Sequence, residues 1–167
     1  MKLIKAPDPI LLEKASDWDF QTDTGAAELE KEMTEFMLAN NGIGLAANQV
    51  GILKRVFAIK LKDNPVPFAM FNPTVVEAST LEQSHEEGCL SFPNLWLEVK
   101  RPQSIEAKYL DSVGKECTIT LTGIDARCFL HELDHLDGKV FTQSVSPLKL
   151  ALARKKQLKQ RKRNGRT

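Results

Sequence analysis

Two histidines four residues apart carry the clearest chemical signal in this sequence. His131 and His135 bracket Glu132 in the segment HELDH, and on a helix this spacing projects both imidazoles from one face, about one turn apart. The pair can therefore bind one small cation, and the glutamate of this motif usually moves protons for a metal-activated water rather than acting as a ligand. The alternative is a chance match in which both histidines are hydrogen bonded to core carbonyls.

A third side-chain ligand from outside the helix must lie upstream, because the chain contains no Asp, Glu, His or Cys beyond Asp137. The common zinc proteases have that ligand downstream of the motif, so its absence argues against a zinc site of the protease type. Cys128 is about 10 Å from His135 along a helix, too far to share an ion, and Cys117 begins an alternating strand, where burial is the ordinary explanation. The other upstream candidates are scattered carboxylates and His85, which lies among glutamates in what is predicted to be a solvated loop. Cys89 follows a glycine in a predicted turn and is the best-placed thiolate, which leaves one position open for water.

The elements that must position this site include several short strands, predicted from the period-two alternation of apolar residues. They cover residues 56–61, 67–78, 96–102, 104–111 and 117–123. Pro102 and the turn DSVGK at 111–115 join the last three. We therefore expect a sheet of mostly antiparallel strands.

Three helices complete the predicted fold. The first has Thr24 as its N-cap. The helix that carries HELDH is apolar around much of its circumference, so we expect it to be buried at the centre, with a capping box of Thr122 and Asp125 and a stop at Gly138. A basic helix follows Pro147. The sequence thus predicts an α+β fold in which short strands pack around one central helix.

The composition is that of one globular domain. The 167 residues are 42% hydrophobic, which is enough for a core without disulfides. The three cysteines, an odd number, and the absence of a signal-like start or a membrane-length apolar stretch predict a reducing compartment. We expect a cytoplasmic location in a bacterium or a phage-infected cell, or an organelle if a transit peptide is missing.

The charge divides the chain into a body and a tail. Residues 1–146 hold all 22 acidic residues and 14 of the 23 basic ones, giving −8, whereas residues 147–167 carry +9 and no acid. Such asymmetry is typical of an appendage that faces nucleic acid, or of a solvated end. We expect Leu148, Ala151 and Leu152 to pack on the body, and the helix to fray past Leu158 unless it is bound.

The segment GIGLAANQV at 42–50 matches the dinucleotide fingerprint G-x-G-x-x-A, but in the wrong context. That fingerprint leaves a strand and opens a helix, whereas this segment follows a predicted helix end. Two features remain, a tight backbone at Gly42 and Gly44 and the amide of Gln49 in an apolar stretch. A buried glutamine needs hydrogen-bond partners, and these are either the nearby backbone or a functional site.

The motifs GIGLAANQ, EGCLS and HELDH, in this order and at these separations, resemble the three motifs of the peptide deformylases over residues 1–146. The resemblance implies three metal ligands, which are Cys89, His131 and His135. It also implies that Glu132 is the general acid and base, and that Gln49 and the Leu90 N–H form an oxyanion hole. The implied metal is Fe²⁺, which Zn²⁺, Ni²⁺ or Co²⁺ is able to replace.

The same resemblance implies a hydrolase that removes the formyl group from the N-terminal methionine of new polypeptides. Five residues are expected to contact the substrate, namely Ile43, Gly44 and Leu45 along its backbone and Ile124 and Cys128 as walls of a methionine pocket. Two positions depart from the family's pattern. Asn48 stands where members often have a smaller residue, and Trp96 falls in the segment where many bacterial members carry a peptide-binding arginine.

The expected partners are formyl-methionyl nascent peptides and, through the basic tail, the phosphates of ribosomal RNA. Two other functions fit parts of the sequence, a general zinc endopeptidase and a non-enzymatic, metal-stabilised RNA-binding module. The missing downstream ligand disfavours the endopeptidase. Replacing Glu132 by Ala separates an enzyme, which should lose turnover but keep its metal, from a binding module, which should be indifferent.

Overall fold

Two antiparallel sheets form the framework of the computed structural model, which describes residues 1–164, with side chains through residue 159. The strands are β1 Gly44–Ala46, β2 Val56–Ile59, β3 Phe68–Ala78, β4 Glu82–Cys89, β5 Phe92–Pro102, β6 Ser104–Leu110 and β7 Glu116–Thr122. Within the described residues, five strands form one sheet in the order β1-β2-β3-β6-β7, and β4 pairs only with β5. The strand β1 therefore lies at an open edge of the larger sheet.

The helices are α1 Ala26–Ala39, α2 Gly123–Leu136 and α3 Pro147–Asn164. The helix α2 carries HELDH and lies against strands of both sheets, with most of its residues buried. The ring of Phe129 meets Phe57 of β2 edge to face at 5.2 Å between centroids, an arrangement that fixes the helix in the core. The predicted α+β fold with a central buried helix is confirmed.

The hairpin of β4 and β5 differs from the sequence prediction. The segment around Cys89 was expected to be a turn, but β4 continues through it, and only residues 90 and 91 form the turn. Gly88 pairs with Trp96 and Cys89 with Phe92, and the register shifts between these two pairs. Such an irregularity re-aims a side chain at the end of a strand, and here that side chain is Cys89.

Two predicted helix caps are wrong in detail. The N-cap of α1 is Gly25, at φ +80°, rather than Thr24. Thr122 is the N-cap of α2, but its side chain makes no capping bond. The predicted partner Asp125 instead accepts a hydrogen bond from the Lys62 N–H at 3.0 Å. Its carboxylate therefore ties the loop after β2 to the start of α2.

The helix α3 packs on β5 through a face that the sequence did not predict. Leu150 and Ala153 lie against the cluster around Leu95, and Gln157 Nε2 donates to Pro93 O at 2.7 Å. The spacing of these positions is that of one helical face. Leu148, Ala151 and Leu152, which were expected to pack there, are exposed. None of the described helices has both the length and the apolar character needed to cross a membrane.

Candidate active site

Three potential metal ligands converge where the end of β4 meets α2. One donor atom each from Cys89, His131 and His135 lies within 4.8 Å of the others, and Cys89 Sγ is 3.3 Å from His135 Nε2. The spacing of i and i+4 on α2 brings the histidines together, as predicted. The irregular end of β4 then supplies the thiolate from the other side.

These donors fit a small divalent ion. A thiolate and an imidazole bound tetrahedrally to one ion, with bonds of about 2.3 and 2.1 Å, lie about 3.6 Å apart, close to the separation of Cys89 and His135. Burial holds the pKa of His135 well below its ordinary value, which keeps the imidazole neutral, as a ligand must be. Burial alone would also lower the pKa of His131, but its contacts with Cys89 and Glu87 raise it to about 10. A bound cation would compete with that proton.

A buried carboxylate, Glu87, orients the first histidine. Glu87 Oε2 lies 3.0 Å from His131 Nδ1, so a proton on Nδ1 leaves Nε2 free to face the site. Arg101 pairs with both oxygens of Glu87, at 2.6 and 3.0 Å, and Arg127 Nη1 adds a third contact at 2.6 Å. Burial would raise the pKa of Glu87, but the hydrogen bonds from His131 and Arg101 outweigh it and lower the pKa to about 2.

The two arginines also clamp the hairpin onto α2. Arg101 Nη1 donates to Asp134 Oδ2 at 2.8 Å, and Arg127 donates to the carbonyls of Val99 and Gln83 at 2.9 and 2.6 Å. None of these contacts was predicted from the sequence. A usable signal was the presence of Glu87 two residues before the candidate ligand Cys89.

Glu132 is buried beside the ligands. Its Oε2 has no hydrogen-bond partner among the described residues, and burial raises the pKa of the carboxyl to about 7. The main chain of β1 packs directly against it, since a Cβ placed on Gly44 would overlap Glu132 Oε1. An ionisable group with a pKa near neutrality, aimed at an open cavity, is suited to proton transfer.

The amide of Gln49 is also buried and is held in one orientation. Its Oε1 accepts from the Ala46 N–H at 2.9 Å. Its Nε2 donates to Ser91 Oγ at 3.0 Å and lies 3.4 Å from Cys89 Sγ. The neighbouring residue Asn48, which departs from the family's pattern, also contacts the ligand helix, since its Nδ2 donates to the His135 carbonyl at 2.7 Å. The amide group of Gln49 therefore faces the ligand cluster.

Most of the predicted site residues line one cavity of about 400 Å³, a size suited to a small ligand. They are Ile43, Gly44, Gln49, Cys89, Leu90, Ile124, Cys128, His131 and Glu132. The two that do not line it are His135, which is buried with its Nε2 3.3 Å from Cys89 Sγ, and Leu45, whose side chain is buried in the core. Leu45 is able to offer only its main chain to a ligand.

Known proteins match this chain in both sequence and fold. A family model for polypeptide deformylase matches residues 1–151. Peptide deformylase 2 of Xanthomonas axonopodis pv. citri (strain 306) is 40% identical over 165 residues, which cover 97% of this chain and 96% of that protein. A crystal structure of a peptide deformylase from Legionella pneumophila has a TM-score of 0.87 at 35% identity, over 99% of this chain and 98% of that one.

A further solved relative is a complex with actinonin. The peptide deformylase of Synechococcus elongatus, in complex with actinonin, has a TM-score of 0.86 at 33% identity, over 93% of this chain and 86% of that one. The sequence match and the fold match both span nearly the whole chain. The chain therefore belongs to the polypeptide deformylase family, metal-dependent enzymes that remove the formyl group from the N-terminus of nascent polypeptides.

Proposed function

We propose that this chain hydrolyses the formyl amide of N-terminal formyl-methionine, with Glu132 as the group that moves the protons. The observation that carries the proposal is the convergence of two imidazoles and one cysteine sulfur beside the buried Glu132 carboxylate at the wall of a cavity. One oxygen of that carboxylate, Oε2, has no hydrogen-bond partner among the described residues. A formyl group is small enough to reach such an enclosed corner.

Cys89, His131 and His135 would hold a divalent ion, natively Fe²⁺, with Zn²⁺, Ni²⁺ or Co²⁺ able to replace it. A thiolate with two imidazoles suits all four ions. The ion, when bound, supplies Lewis-acid polarisation of the formyl carbonyl and lowers the pKa of water. A thiolate ligand also makes the ferrous form sensitive to oxidation, so the protein should be handled without oxygen.

Glu132 acts first as a base and then as an acid. Its carboxylate accepts a proton from the attacking water and returns it to the methionine nitrogen as the C–N bond breaks. The burial that raises the pKa of Glu132 to about 7 suits both steps. A cation bound nearby would lower that pKa again, so the carboxylate would be ionised before water attacks.

Gln49 and the Leu90 N–H would stabilise the negative charge that develops on the formyl oxygen. The Gln49 amide oxygen is occupied by Ala46, which turns its NH₂ group towards the ligands. Leu90 directly follows Cys89 and lines the same cavity. Donors that are fixed before the reaction cost little reorganisation in the transition state.

The substrate's main chain would lie along β1. This strand is the open edge of the larger sheet, where an extended peptide is able to add as a further strand. Ile43, Gly44 and Leu45 would then contact the peptide backbone, with Leu45 contributing its main chain only. Ile124 and Cys128, on the first turns of α2, would form walls for the methionine side chain.

Residues 1–146 would be the catalytic body, and residues 147–167 a basic appendage that contacts the phosphates of ribosomal RNA in the cytoplasm. The described basic side chains of α3 are exposed, and they are Lys149, Arg154, Lys155, Lys156 and Lys159. Replacing Lys155, Lys156 and Lys159 by Gln leaves the contacts of α3 with β5 in place. This variant should sediment less with ribosomes at low salt, and unchanged sedimentation would refute the contact.

The central test is anaerobic purification, metal analysis and an assay of formate release from formyl-Met-Ala. We expect about one metal ion per chain and turnover that the Glu132→Ala variant loses while it retains its metal. A protein with a full metal site that released no formate would refute the proposal. Cleavage of internal bonds in an unformylated peptide would support the endopeptidase instead.

A further inference from the structure

A buried asparagine beside Gln49 has no part in the reaction described above. Asn48 is 0% exposed and lies in the helical turn Ala47–Val50, which also carries Gln49. It does not line the cavity. Its Nδ2 donates to the His135 carbonyl at 2.7 Å, across 87 residues of the chain, and its Oδ1 has no hydrogen-bond partner among the described residues. The contact with His135 is therefore the described hydrogen bond that orients this side chain.

This contact joins the turn 47–50 to the C-terminal end of α2. Carbonyls in the last turn of a helix lack helical N–H partners, so a side-chain donor is able to satisfy one of them. The His135 carbonyl also accepts from the Gly138 N–H, but at 3.1 Å. Among the described residues, no other hydrogen bond connects the turn 47–50 with α2. Asn48 is thus the polar contact that holds this turn against the helix with two of the proposed ligands.

Asn48 also completes a closed loop of contacts at the site. Gln49, its neighbour in the chain, has Nε2 at 3.4 Å from Cys89 Sγ. Cys89 Sγ lies 3.3 Å from His135 Nε2, and the His135 carbonyl leads back to Asn48. The amide that would meet the formyl oxygen is therefore connected to Cys89 directly and to His135 through Asn48.

We infer that Asn48 is a positioning residue, which sets the placement of the Gln49 amide relative to His135. The Ala46 N–H, which holds the Gln49 oxygen, directly precedes the same turn, so that contact does not fix the turn against α2. A donor stabilises developing charge only if it is correctly placed before the reaction, and a displacement of about 1 Å costs about 100-fold in rate. The inference rests on the proposed function and adds a residue to it.

The kinetic test uses the metal-loaded full chain and formyl-Met-Ala. Asn48→Leu removes the donor at nearly constant volume, and Asn48→Ala removes it and leaves space. We expect both variants to lower kcat about 10- to 100-fold and to change KM less than about threefold, since Gln49 acts on charge that develops only in the transition state. Thr34→Val is the matched control, because it removes a buried donor to the Glu30 carbonyl of α1, at 2.8 Å, and should leave kcat unchanged.

A double variant shows whether Asn48 acts through Gln49. In the Gln49→Ala background, Asn48→Leu should lower kcat by less than about twofold, because residues that act as a unit are not additive. Metal affinity of Asn48→Leu, measured by chelator competition, should stay near that of the wild type, whereas loss of a group that orients a ligand costs about 10- to 100-fold. A loss of that size, or an undiminished fall of kcat in the double variant, would refute the inference.

A second readout is independent of turnover. In the NMR spectrum of the Zn²⁺-loaded protein, the NH₂ signals of Gln49 are those that Gln49→Ala lacks. Their exchange with water should be faster in both Asn48 variants than in the wild type or in Thr34→Val, because a group that has lost its fixed position opens to solvent more often.

The outcomes separate this inference from the proposed function. If the wild type releases no formate, the proposed function fails, and the exchange of the Gln49 amide alone decides whether Asn48 positions it. If Gln49→Ala keeps its kcat, the role of Gln49 and this inference fail together. If Gln49→Ala loses turnover but the Asn48 variants keep theirs, the inference alone fails. It also fails if only the less stable of the two Asn48 variants loses kcat, since packing rather than the donor would then be responsible.

Discussion

Replacing Gly44 by Ala tests whether catalysis depends on the placement of Glu132. Gly44 has a backbone conformation that alanine is able to adopt, because its φ is not in the left-handed region. The new Cβ would nevertheless overlap Glu132 Oε1 and lie 2.7 Å from Cys128 Sγ and 2.8 Å from Glu132 Cδ. The perturbation is therefore a steric displacement of one carboxylate and one thiol.

The expected loss follows from these contacts. Inserting one carbon into a packed site costs about 1–3 kcal/mol of stability, and moving a catalytic group by about 1 Å costs about 100-fold in rate. We expect kcat for formyl-Met-Ala to fall about 100-fold in Gly44→Ala. Metal content should be retained, since none of the three ligands lies among the atoms that the new Cβ would meet most closely.

The assay compares kcat, metal content and Tm for Gly44→Ala, Glu132→Ala and the double variant. If the methyl group acts by displacing Glu132, adding it to Glu132→Ala should cause little further loss of turnover, a non-additivity diagnostic of coupled residues. Gly123→Ala controls for lowered stability alone, because its Cβ would meet no atom within 4 Å but its φ of +56° strains alanine by about 1 kcal/mol. Retention of kcat within threefold in a folded, metal-loaded Gly44→Ala protein would refute the reasoning.

Four further predictions concern the metal and its surroundings. Glu132→Gln should keep the metal and lower kcat by about 10²- to 10⁴-fold; equal turnover in both proteins would exclude Glu132 as the proton carrier. In the wild-type profile of kcat/KM against pH, the midpoint of the acid limb should lie below pH 7, because Glu132 must be ionised to act as the base. Burial raises the pKa of Glu132 to about 7, and a bound cation lowers that pKa. A midpoint above pH 7 would contradict this prediction. Glu87→Gln should weaken metal binding about 10- to 100-fold in a chelator competition, and unchanged affinity would show that Glu87 does not orient His131. Chelation should abolish formate release and lower Tm, and added Co²⁺ or Ni²⁺ should restore both; turnover that survived complete removal of the metal would exclude a role for the ion.

The parts of the site that were predictable from sequence are those set by local spacing. The i, i+4 relation of His131 and His135 depends only on helix geometry, and the apolar residues around them predict a buried helix. The absence of a potential side-chain ligand after Asp137 placed the third ligand upstream, where Cys89 was the best-placed thiolate. The resemblance to the peptide deformylase motifs then implied a role for each of these residues.

What the sequence did not predict depends on how distant elements pack. Glu87 meets Arg127 across 40 residues and Arg101 across 14, and neither contact follows from the periodicity of one strand or helix. The contact face of α3 was wrong for a related reason. The face of α3 that is buried depends on the packing of Leu150 against the hairpin of β4 and β5, and the spacing of apolar residues alone does not determine it.

The buried network explains why the site needs two arginines for one glutamate. Glu87 must remain ionised to orient His131, although it is buried and lies near Glu132. An unpaired buried carboxylate would instead take up a proton. Arg101 and Arg127 hold the charge in place, and Arg101 reaches on to Asp134. Each polar residue of HELDH therefore has a place in the site. His131 and His135 converge with Cys89, Asp134 accepts a hydrogen bond from Arg101, and Glu132 lines the cavity. The remaining residue, Leu133, packs on the core.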